Sequence, residues 1–140
     1  MGISKYNHEG YYDPVPHTAV SSIERERHAR KPLVYICSPY AGDIETNTAN
    51  ARRYCRFAVD AGAIPFAPHL LLPQFMDEET ERDKAMFFNK VFLIKCEELW
   101  VFGNKITKGM AKEISLAKRH MKRIRYFAEE CKELTNERSR

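Results

Sequence analysis

The run Leu33-Val34-Tyr35-Ile36-Cys37 is apolar or aromatic at every position and stops at Ser38-Pro39-Tyr40-Ala41-Gly42. A strand with one face in water alternates apolar and polar side chains. An unbroken run of β-branched and aromatic residues therefore predicts a strand covered on both faces, as in parallel sheets. The rest of the chain supplies what such a sheet needs. Ala51, Tyr54, Cys55 and Ala58 recur at i, i+3, i+4 and i+7, with Thr46 or Asn47 as a cap and Gly62 as a stop, which predicts an amphipathic helix. Residues 63–67 form a second strand, and Pro65 assigns it to a sheet edge. Residues 68–82 carry Pro68, Pro73 and the acidic Asp77-Glu78-Glu79, and read as a loop long enough to act as a flap. Residues 85–96 are apolar nearly all round and predict a largely buried helix. Residues 99–102 give a third strand, 103–108 a turn, 109–121 a helix with Met110, Ile114 and Ala117 on one face, and 124–127 a fourth strand.

Strands and helices in strict alternation predict an α/β fold with right-handed crossovers: a small open parallel sheet of about four strands flanked by helices, in three layers, flavodoxin- or Rossmann-like. Ligands of such sheets sit beyond the carboxyl ends of the strands, where strand order reverses. The turns after the first and third strands, 38–43 and 103–113, are therefore the places to look, and the two strands are expected side by side in the sheet centre. Around this core of 33–127 the sequence places a Tyr-rich arm and short exposed helix over 1–32, and a charged tail over 128–140 that frays from Glu130.

Of 140 residues, 44% are hydrophobic, enough for one well-packed domain and too few residues for two. Twenty-three basic against 19 acidic residues favour phosphate contacts but fall short of a nucleic-acid-binding face. The basic run from Lys118 to Arg125 reads as a solvated helix end followed by a charged edge strand, so no nucleic-acid partner is expected. Cys37, Cys55, Cys96 and Cys131 form no C-x-x-C pair and have no His at zinc spacing, so they read as reduced thiols, with no metal site. No signal peptide and no apolar stretch of about 20 residues occurs, and a cytoplasmic protein with no membrane contact is expected. The absence of G-x-x-x-x-G-K-[ST] and G-x-G-x-x-G excludes ATP hydrolysis and NAD binding by those routes.

Two segments carry a family resemblance. Tyr35-Ile36-Cys37-Ser38-Pro39-Tyr40 is a strand running into a small-residue turn, and Gly109-Met110-Ala111-Lys112-Glu113-Ile114-Ser115-Leu116-Ala117 fits G-x-G-x-E-x-G-x-A with Ala111 and Ser115 at two glycine positions. From Leu33 to about Phe127 the chain resembles the nucleoside 2-deoxyribosyltransferases and related deoxynucleotide N-hydrolases, nearest to phage and mobile-element members of the DUF4406-like type. The resemblance implies a pocket for a nucleoside or nucleotide, no cofactor, at least a dimer, and Glu113 as nucleophile. A carboxylate near a helix start suits that role, since unpaired N–H groups and the helix dipole favour its ionised form. It would attack the anomeric carbon, displace the base and leave a glycosyl ester that water or a second base resolves. The plain alternative is an ordinary acid on a surface helix.

Ser38, Tyr40 and Gly42 in the first turn and Gly109 in the second are candidate ligand-binding residues, because N–H groups in small-residue turns hold phosphate or sugar oxygens. His69 stands where it can reach the pocket mouth. The resemblance aligns Asn89 with an Asp that helps protonate or orient the leaving base, and an amide cannot act as a general acid. That departure makes a nucleotide-binding or sensing module with little chemistry the second reading, and an interaction protein docking through Tyr6, Tyr11 and Tyr12 the third.

Overall fold

A computed structural model of the protein describes residues 31–134. The chain divides into two units, Met1–Lys31 and Pro32–Arg140, and all of the described strands and helices belong to the second. Apart from Lys31 and Pro32, the arm and helix expected over 1–32 lie outside the described residues, as do residues 135–140 of the tail.

Four strands, β1 (Leu33–Cys37), β2 (Ile64–Phe66), β3 (Glu98–Phe102) and β4 (Arg123–Phe127), form one parallel sheet in the order β2-β1-β3-β4. Leu33 pairs with Ile64, Tyr35 with Leu99, and Phe102 with Phe127. The central pair is thus β1 and β3, and strand order reverses between them, as the sequence predicts. The edge position of β2 also matches the placing of Pro65, whose missing N–H would remove a ladder bond from a central strand.

The two-sided apolar character of β1 and β3 is explained by the layers they separate. Val34 and Ile36 point with Trp100 and Phe102 to one face, where helix α1 (Ile44–Asp60) packs Tyr54 and Ala58 against them. The Tyr54 ring stacks on Phe102 at 4.3 Å. Tyr35, Cys37, Leu99 and Val101 point to the other face, against Leu93 of helix α3 (Arg82–Lys95) and Met110, Ile114 and Ala117 of helix α4 (Lys108–Arg119). A short helix α2 (Pro68–Leu71) and a 3-10 turn (Leu72–Gln74) occupy the segment that the sequence assigns to a loop. Pro68 at the first helical position accounts for α2, because its fixed φ suits a helix start.

Three local expectations change. Helix α1 is capped by Asp43, whose Oδ1 accepts from Thr46 N at 3.2 Å, and not by Thr46 or Asn47. Asn47 instead donates to the carbonyls of Tyr40 and Ala41, at 3.0 and 3.1 Å, and so braces the β1 turn. Helix α3 is not buried all round: Ala85 and Leu93 are buried, while Met86 and Phe87 are 41% and 61% exposed. Nor does the tail fray at Glu130. Leu134 N donates to Tyr126 O at 2.8 Å, and Glu133 takes both forks of Arg125, at 2.8 and 2.7 Å. The same guanidinium lies 4.7 Å from the Trp100 ring centre, so one side chain closes the open end of the core and holds the returning chain. Among the described residues no helix is long and apolar enough to cross a membrane.

Candidate active site

Beyond the carboxyl ends of β1 and β3 lies a cavity of about 540 Å³, within the range that holds small ligands. Its inner end is built by the sheet itself. Odd-numbered β1 residues face α4, and Tyr35 therefore reaches across to the carboxylate of Glu113, its Oη donating to Oε2 at 2.6 Å. The Cys37 thiol, one strand repeat further on, lies beside the same carboxyl. Tyr35 and Cys37 are fully buried, and burial followed by the nearby carboxylate pushes both of their pKa values well up, so both are neutral donors.

Glu113 lies in the second turn of α4, not the first as the sequence suggests, and no acid occupies that first turn. Its environment is consequently set by burial more than by the helix end. Desolvation raises its pKa above the ordinary carboxylate value, and the hydrogen bond from Tyr35, with the neighbouring Cys37 thiol, pulls it only part of the way back. One donor on Oε2 of this half-buried carboxylate leaves its other lone pairs for a further partner.

Ser38, Tyr40, His69, Asn89 and Gly109 line the same cavity with Glu113. Gly42 lines neither this cavity nor a second one beside it. With φ at +96° it serves the turn, in a conformation that disfavours a side chain. Ser38 is 2% exposed, yet its Oγ has no hydrogen-bond partner, and the buried Oδ1 of Asn89 likewise has none. Buried polar atoms are almost always paired in folded proteins, so two unpaired ones on the wall of one cavity mark positions suited to a ligand's polar groups. His69 stacks on Tyr40 with ring centres 4.6 Å apart and 16° between planes. Burial drives the pKa of His69 down to about 4, so this wall is a neutral aromatic pair at pH 7.

A family model described as a domain of unknown function, DUF7768, matches residues 32–127. The chain belongs to that family. The solved 2-deoxyribosyltransferase from the psychrotolerant bacterium Bacillus psychrosaccharolyticus shares the fold of the DUF7768 domain, with a TM-score of 0.53 at 18% identity over 76% of this chain and 78% of that one. No curated protein matches the sequence.

Several cavity residues of the DUF7768 domain carry no signal in the sequence. Arg82 and Lys90 from α3, and Lys108, Lys112 and Arg119 from α4, stand around the opening with Glu78. Tyr35 is legible in the sequence only as a core residue, although a buried Tyr needs a partner for its hydroxyl, and that is the signal that points to Glu113. Cys37 gives no such signal. Among the described residues no group of three or more His, Cys, Asp or Glu side chains is placed to hold a metal ion.

Proposed function

We propose that the domain binds a nucleoside or nucleotide in this cavity and acts on its N-glycosidic bond, with Glu113 as the nucleophile. The observation that carries the reading is the Tyr35–Glu113 hydrogen bond at 2.6 Å, which fixes a single carboxylate at the inner end of a ligand-sized cavity. A Glu Oε attacks C1′ as the C1′–N bond breaks; the base leaves with the bonding electrons and takes its proton from water. Water, or a second base, then attacks C1′ of the glycosyl ester and returns the free carboxylate. Tyr35 holds Oε2 of the carboxylate and so orients Oε1. Ser38 Oγ and the open face of Gly109 suit sugar or phosphate oxygens, and the Tyr40–His69 pair offers a flat wall to a base.

The second reading, a nucleotide-binding module with little turnover, is favoured by Asn89. Its amide lines the cavity where the family resemblance puts an acid, and His69 with a pKa of about 4 does not replace that acid at neutral pH. Incubation with a nucleoside and nucleotide panel, read by mass spectrometry for free base, separates the two. Base release lost in Glu113→Gln supports the enzyme. Saturable binding with unchanged ligand supports the module.

A further inference from the structure

We propose that the ligand of this cavity is a nucleotide bearing a chain of two or more phosphates, held by a row of cations along α3 and α4. The inference rests on the nucleotide pocket proposed above and names its ligand class more closely. Five cations line the cavity, Arg82, Lys90, Lys108, Lys112 and Arg119, against two carboxylates, Glu78 and Glu113. Among the described residues none of the five makes an ion pair. Charges left unpaired on one concave surface raise the local concentration of anions.

Their arrangement sets the length of the anion. Lys108, Lys112 and Arg119 rise along one side of α4, about 16 Å of helix at about 1.5 Å per residue, and Arg82 and Lys90 span about 12 Å of α3. One phosphoryl group reaches only the cations within hydrogen-bond distance of its oxygens. At the upper end of the row, Thr107 Oγ1 caps Met110 N, and Ala111 N bonds Thr107 O. That leaves the first two N–H groups of α4, those of Lys108 and Gly109, for an anion, and a Cβ built on Gly109 would meet nothing within 4 Å. The unpaired Ser38 Oγ, itself 2% exposed, lines the same cavity and gives a second donor for the phosphate nearest the sugar. A nucleic-acid strand fits less well, since Tyr40 and His69 are stacked on each other and no series of free aromatic rings follows the cations.

Binding of the four common deoxynucleosides, their 5′-mono-, di- and triphosphates, inorganic triphosphate and a short single-stranded oligonucleotide tests this by calorimetry at two salt concentrations. The expected result for at least one base is a Kd that falls at least about tenfold from mono- to triphosphate and rises with salt. Lys112→Gln and Arg119→Gln are each expected to weaken triphosphate binding by about tenfold while leaving the parent nucleoside unchanged. Lys132→Gln, which removes an exposed cation lining neither cavity, is expected to have no effect. Equal affinity for mono- and triphosphate, equal loss in Lys132→Gln, or tighter binding of the oligonucleotide overturns the inference. Base release from free nucleosides at the rate seen with nucleotides overturns it while leaving the glycosidic reading intact. Tight triphosphate binding without base release upholds it and overturns that reading.

Discussion

Tyr35 on the central strand and Glu113 on α4 are 78 residues apart in sequence and joined by a 2.6 Å hydrogen bond at the inner end of the cavity. The bond exists because β1 and β3 are neighbours and α4 returns over the face that odd-numbered β1 side chains occupy. It also sets the protonation of Glu113, since burial raises that pKa and the phenol opposes the rise.

Tyr35→Phe therefore removes a donor to the ionised carboxylate and lets the Glu113 pKa climb further. The acid limb of any base-release profile is expected to move to higher pH, because the lost hydrogen bond favoured the charged form of the carboxyl. A full pH–rate profile of both proteins checks it: the variant loses more on the acid side than on the alkaline side. An unmoved limb assigns the titration to another group.

His69 carries a pH dependence of the opposite kind. Its folded-state pKa of about 4 lies below the ordinary 6.5, so the neutral form is favoured in the native protein. Stability from this term is fully present above pH 6.5 and is lost as pH falls toward 4. The full difference corresponds to about 3 kcal/mol. Urea unfolding at pH 7 and pH 4.5 is expected to show about 2–3 kcal/mol more loss in the wild type than in His69→Phe, which keeps a ring against Tyr40 without the titration.

The strands are readable in the sequence because their apolar runs are continuous, and the β1–β3 adjacency is expected because the two candidate turns share a position just past strand ends in a parallel α/β pattern. Glu113 is readable through its motif. Helix α3 departs from its expected burial for a physical reason: hydrophobicity gives the number of apolar residues on a helix, not which of them the sheet has room to cover. Phe92 of α3 packs 4.5 Å from Phe66 of the edge strand β2, whereas Phe87 of the same helix is left 61% exposed. The cation row is not readable at all, since Arg82 and Lys90 meet Lys108, Lys112 and Arg119 only once α3 and α4 lie together on one face.

Arg125 is the residue on which the returning tail depends. Arg125→Lys keeps the charge but loses the two-pronged bond to Glu133 and the flat contact on Trp100. A cost of about 1–2 kcal/mol is expected in thermal or urea unfolding, together with faster hydrogen exchange at Leu134, whose N–H is bonded to Tyr126 O. Unchanged exchange there would show that the 128–134 turn holds without the pair.

Asn89→Asp tests the chemistry of the cavity wall. Asn89 Oδ1 is buried without a partner, and a carboxyl in that place is desolvated and favoured as the protonated acid a leaving base requires. Single-turnover base release is expected to rise by about 100-fold or more, and to vanish again when Glu113→Gln is added. A variant that binds nucleotides as the wild type does but gains no rate removes Asn89 from the leaving-group position.

The glycosyl ester on Glu113 itself is the most direct thing to look for. Acid quenching within the first turnover on a deoxynucleotide, followed by digestion and peptide mass analysis, is predicted to show the sugar, with its phosphates, on the α4 peptide at Glu113 and no adduct in Glu113→Gln. Base release that continues at the wild-type rate in a folded Glu113→Gln variant, with no adduct in either protein, would contradict it.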